Sequence, residues 1–158
     1  MRFLALTMAS LLLVACGRIE SPSPTASPLD LPAVTAALRN AGIAVVDVAD
    51  NLSAHDGAWQ CLPGAFRLSR VSQQAPAAYA PGAKPPVEIL LFSSEATRTA
   101  AQATIGSDGQ VRVQGCATIV EWLATPHVVG VRNVLLVVVT EDRAAIDAVK
   151  AAASHLGG

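Results

Sequence analysis

The feature that most constrains this chain is an apolar run that stops at a cysteine. Residues 3–14 are apolar apart from Thr7 and Ser10, they follow Met1-Arg2, and Cys16-Gly17-Arg18 ends the run. A spanning helix needs about 20 apolar residues, so this stretch is too short to cross a bilayer. A positive start, a short apolar stretch and small residues before a cut form the pattern of a secretory signal. The folding problem therefore starts after this segment and is solved on the far side of a membrane.

Within that signal, Leu13-Val14-Ala15-Cys16 looks like a bacterial lipobox, whose small residues fit a signal peptidase and whose thiol takes a diacylglycerol. The expected partition is a signal over 1–15, a lipidated Cys16 with a tether over 16–29, and one domain over 30–158. The implied partner is a membrane, reached through the acyl chains on Cys16. One chain holds marginally, whereas two or three hold firmly. Gly17, where an aspartate would resemble an inner-membrane retention signal, allows outer-membrane sorting in an organism with an outer membrane. Elsewhere the expected address is the outer face of the plasma membrane.

The same reading settles the cysteines. With Cys16 committed to lipid, Cys61 and Cys116 remain, and in an oxidising envelope such a pair predicts a disulfide. It closes 116 − 61 = 55 residues, worth roughly 4 kcal/mol on the chain-entropy model. Removing 1–15 leaves 158 − 15 = 143 residues with 10 basic and 12 acidic side chains, since only Arg2 is lost. A net charge near −2 offers no basic field, so nucleic acid is not an expected partner. The chain is 52% hydrophobic and 4% aromatic, which gives an alanine- and valine-rich core large enough for one domain.

Residues 20–28 alternate Ser and Pro and predict an extended spacer of about 3 Å per residue. Asp30 then caps a helix with Val34, Ala37, Leu38 and Ala41 on one face and Gly42 as its stop. Strands are expected over 43–48, around Phe66 and Leu68 (with Arg67 and Ser69 facing solvent), and over 87–92, the last suited to a sheet centre. The 73–86 loop holds four prolines and the only tyrosine, Tyr79. Ser93 or Ser94 caps a second helix, whose Ala96, Ala100 and Ala103 offer a small-residue face to a sheet. Ser107-Asp108-Gly109 is a turn, and further strands are expected over 110–114, 118–123, 128–131 and 134–139, with Pro126 an interruption. A last helix opens at 140–142 and aligns Ile146, Val149, Ala153 and Leu156. The expected fold class is α+β: a mostly antiparallel sheet with about three helices on one face, in two layers.

Asp108-Gly109, Val120-Glu121-Trp122, Pro126-His127, the apolar strand at 134–139 and Glu141-Asp142 at a helix start form an ordered series. The series resembles a group of small bacterial lipoproteins and secreted proteins of uncharacterised function, over about residues 30–156. That group commonly has an aromatic pair after Pro-His, where this chain has Val128-Val129, and the cysteine pair looks like an addition to its pattern. The resemblance implies architecture and location but no catalytic residues.

Three residues are candidates for binding: Trp122 and His127, as a lip around the Pro126 kink, and Tyr79 in its loop. Each has a structural alternative, the Trp as a core anchor, the His as a backbone hydrogen-bond donor, the loop as an insertion. His55, Asp56, His127 and the two thiols lack the short spacing of a zinc site, and no metal or other cofactor is expected. Gly106-Ser107-Asp108-Gly109 is not a nucleophile elbow, and no glycine-rich phosphate loop is present. With 3 histidines and 15% charged residues, convergent acid–base chemistry has little to draw on. The expected function is therefore a lipid-anchored envelope module that binds a protein or cell-wall partner. The alternatives are an envelope hydrolase near His127 or a small-molecule carrier using an open sheet face.

Overall fold

Asp30 closes the first helix as its side chain requires. In the computed structural model, which describes residues 27–53, 57–74 and 84–158, its carboxylate accepts from the Ala33 N–H at 2.9 Å. Helix α1 (Leu31–Asn40) buries Leu31, Val34, Ala37 and Leu38, and Gly42 follows at φ 83°, the left-handed stop. Strands β1 (Asp47–Leu52), β2 (Phe66–Ser72) and β3 (Val87–Phe92) come next, then helix α2 (Glu95–Gln102). A two-stranded hairpin, β4 (Arg112–Val113) and β5 (Cys116–Ala117), precedes β6 (Pro126–Val131), β7 (Val134–Val139) and helix α3 (Arg143–Gly157). The main sheet has the order β1-β2-β3-β7-β6, and every neighbouring pair is antiparallel.

The expected α+β class, with helices packed on an antiparallel sheet, is what the structure shows. The helices do not share one face in two layers as expected but divide between the two, because β3 and β7 are apolar on both. On the first, α1 and α3 pack Leu38, Val149 and Leu156 against Val87, Ile89, Leu136 and Val138. On the second, Ala101 of α2 joins Trp59, Leu62, Leu90, Leu135 and Val137. Strand alternation produces this division: Ile89 lies opposite Leu136 and Leu90 opposite Leu135, so β3 and β7 bury both of their faces. Gly130 of β6 admits α2, since a Cβ there would collide with the Arg98 and Gln102 side chains.

Five local expectations are corrected. The first strand runs over Asp47–Leu52 rather than 43–48, because Asp47 is where the chain comes alongside Ser72. Ile43 is a core residue, 4% exposed, outside the ladder. Ser69 is buried rather than solvent-facing, and its hydroxyl donates to Asp50 at 2.6 Å. In α2 the buried positions are Arg98 and Ala101, not Ala96, Ala100 and Ala103. Arg98 tolerates burial because its guanidinium donates to the Arg132 carbonyl, Gln102 and Glu95. Residues 118–123 form no strand, and Pro126 begins β6 instead of interrupting it.

Asn133, 3% exposed, ties the start of the domain to the β6–β7 turn. Its Oδ1 accepts from the Leu29 N–H at 2.6 Å, while its Nδ2 donates to the Leu29 and Phe92 carbonyls at 3.1 and 3.0 Å. The Arg132 guanidinium also donates to the Ser27 carbonyl. The segment before α1 is thereby held to one end of the sheet.

Candidate functional site

Trp59 is the base of the surface that stands out. It is 2% exposed, and its indole N–H donates to Glu88 at 2.7 Å, whose other oxygen accepts from Arg70 at 2.7 Å. Trp122 packs beside it with ring centroids 6.1 Å apart. Two residues beyond Trp59, Cys61 is joined to Cys116 with a Cα–Cα distance of 5.7 Å, as the cysteine count predicted. The disulfide binds the 57–64 segment to the β4–β5 hairpin.

Residues 118–122 are then held by side chains rather than by a ladder. The Thr118 N–H donates to the Val111 carbonyl at 3.1 Å, and the Thr118 hydroxyl accepts from the Val111 N–H at 3.0 Å. Gln110 brackets Val120, accepting from its N–H at 2.9 Å and donating to its carbonyl at 2.7 Å. A glutamine amide thus does what a neighbouring strand would do. Gly109, at φ 74°, brings the preceding turn so close that a Cβ would meet Pro126 and the Trp122 indole nitrogen.

This fixed segment, and Leu123 just after it, present apolar side chains to water. Ile119 is 95% and Leu123 98% exposed, the largest such values among the exposed large hydrophobic residues. Beside Ile119 lies a recess of about 620 Å³ bounded by Gly57, Ala58, Gln60, Val120 and Glu121. Apolar groups held rigidly in water favour a covering partner. Sequence reasoning missed Ile119, Leu123 and Gln110. The apolar residues Ile119, Val120, Trp122 and Leu123 point to a strand over 118–123, and a strand assignment does not say which of them stand in water.

The structure separates the two residues of the candidate lip. Trp122 packs on the second face of the sheet, with its indole N–H buried and without a hydrogen-bond partner among the described residues. His127 alternates with Val129 and Val131, which pack on the first face, and its Nε2–H donates to the Thr140 carbonyl at 3.0 Å. Beyond it, Glu141 accepts from the Thr125 N–H at 2.8 Å and the Thr125 hydroxyl at 2.5 Å. Those bonds, the hydroxyl's first, hold the Glu141 carboxyl below its ordinary 4.5. Asp108 is likewise lowered, chiefly by its hydrogen bond with Arg112 at 2.5 Å. Both are exposed carboxylates with local partners.

Cys16, His55, Asp56 and Tyr79 lie outside the described residues. Among the described residues no three His, Cys, Asp or Glu side chains are grouped to hold a metal ion, and no helix is long and apolar enough to cross a membrane. No family model, curated protein or solved structure matches the chain.

Proposed function

We propose that this chain is a lipid-anchored, extracytoplasmic envelope protein acting as a non-catalytic binding or accessory module, and that the surface around Ile119 meets its partner. The observation that carries the reading is a 95% exposed isoleucine on a segment pinned by a disulfide and a glutamine bracket. A rigid apolar contact binds without the entropic cost of ordering a loop. The anchor rests on Leu13-Val14-Ala15-Cys16 and the Ser/Pro-rich residues after it. A hydrolase near His127 gains little support, because that imidazole is engaged by a backbone carbonyl. A carrier on an open sheet face gains little either, since the central strands are packed on both faces.

Two measurements test the two halves separately. Intact mass of protein from its native membrane should begin at Cys16 and include acyl chains, and an unmodified terminus elsewhere ends the anchoring half. A photo-reactive residue at position 119 should form discrete adducts in native membranes that the same residue at Gln114 does not. No adduct at 119, together with an Ile119→Glu strain indistinguishable from wild type, ends the binding half.

A further inference from the structure

The two edges of the sheet are built differently. β1 carries Asp47 and Asp50, slips register between Ala49 and Leu52, and holds Asn51 at φ 51°. Charge and irregularity of that kind keep an edge from pairing. β6 keeps an unbroken register from Pro126 to Val131 and has His127 as its one titratable side chain.

The backbone of β6 shows which groups face outward. The Thr140 N–H donates to the Thr125 carbonyl, and the Phe92 N–H donates to the Asn133 carbonyl. Antiparallel alternation then turns His127, Val129 and Val131 toward β7 and Pro126, Val128 and Gly130 away from it. The outward groups are the N–H of Val128 and Gly130 and the carbonyls of Pro126, Val128 and Gly130. None has a hydrogen-bond partner among the described residues. Pro126 stands where its missing N–H would point outward, so it takes no bond from the sheet.

We propose that β6 pairs with β6 of a second copy of this chain, antiparallel about a twofold axis through Val128, joining the two sheets edge to edge. In that register Val128 faces Val128 and exchanges both backbone bonds, and the Gly130 N–H of each copy donates to the Pro126 carbonyl of the other. His127 lies opposite Val129.

Charge selects a second copy as the occupant. One end of β6 has Glu141, bound at Thr125, with Glu121 nearby in sequence, and the other end has Arg132. The twofold brings the Arg132 end of each copy to the Glu141 end of the other. It also brings the β6–β7 turn of the second copy to Leu123, whose side chain is 98% exposed in the single chain. The proposal does not depend on the surface around Ile119 or on the lipid.

The test uses full-length protein in its native membrane. His127→Cys and Val129→Cys are expressed separately and together, in two copies distinguishable by mass. Opposed residues in a non-hydrogen-bonded antiparallel pair have Cα atoms about 4.5 Å apart, within disulfide reach. A mixed disulfide dimer should therefore form on co-expression and not with either variant alone. Val128→Pro, which removes an outward N–H and trims a side chain packed on the second face while leaving the β6–β7 bonds in place, should keep the strand content seen by circular dichroism and convert a sedimenting dimer to monomer. Monomeric wild-type protein at every concentration reached, or cross-linking of each variant with itself, overturns the proposal. So does a native partner of different sequence found paired on β6.

Discussion

Replacing Asn133 should cost far more than its place in a turn suggests. The side chain makes three hydrogen bonds, to the Leu29 N–H, the Leu29 carbonyl and the buried Phe92 carbonyl. Asn133→Ala leaves the Phe92 acceptor short of a donor in a site closed to water, at about 1–3 kcal/mol. The Leu29 groups can turn to solvent, so their loss adds roughly the net 1 kcal/mol of an ordinary hydrogen bond. The total is about 2–4 kcal/mol, a fall in melting temperature on the order of 10 °C for a domain of this size. Asn133→Asp sharpens the test, because a carboxylate keeps the Leu29 N–H but faces two carbonyl oxygens. Burial and those oxygens raise the pKa of the introduced acid above its unfolded value of about 3.9. A raised acid binds its proton more tightly when folded, so stability falls as pH rises from the unfolded value through the folded one. At neutral pH Asn133→Asp should be less stable than Asn133→Ala, and the gap should narrow on acidification. Urea titrations at neutral and acid pH measure both effects. An Asn133→Ala variant within 0.5 kcal/mol of wild type, well inside the cost expected for a buried unpaired acceptor, would refute the reasoning.

Gly109→Ala should destabilise more than Gly115→Ala; both have positive φ, but only at Gly109 would the Cβ meet neighbours, Pro126 and Trp122. Equal melting temperatures would contradict that packing. Trp59→Phe, which strips a hydrogen bond from Glu88, should cost about 1–3 kcal/mol more than Trp122→Phe, whose indole N–H has no partner to lose. Because the Glu141 and Asp50 carboxyls are lowered in the folded state, stability present at neutral pH should be lost as pH falls below their ordinary values, 4.5 and 3.8, and through their folded ones. Thr125→Val should shallow that acid dependence in pH-resolved denaturation. Removing both Cys61 and Cys116 should cost up to roughly 4 kcal/mol by chemical denaturation, and a loss near zero would argue against the loop-closure account.

Several elements were legible because their causes are local. The Asp30 and Ser94 caps, the apolar stripe of α3 and the strand over 134–139 all depend on neighbours within a turn or along one strand. The disulfide was legible from counting, since reading Cys16 as the expected lipid site leaves one pairing. The failures share a different cause. Arg98 is buried because its partners lie on another element as well as its own, and an apolar period cannot register a satisfied guanidinium. Residues 118–123 have the composition of a strand, but a strand needs a neighbour, and Gln110 occupies that place around Val120.

By itself, then, the sequence determined the α+β class, the covalent pair of cysteines and the positions of the three helices, because propensity, capping and pairing arithmetic act over short distances. Tertiary structure alone decided which sheet face each helix covers, that Trp122 and His127 part company, and that Ile119 and Leu123 stand in water. It also decided that β6, not β1, offers a regular free edge. Those outcomes depend on strand order and register, and Asn133 shows why they were hidden: its partner Leu29 is 104 residues away. Contacts at that separation leave no local pattern in the residues that make them.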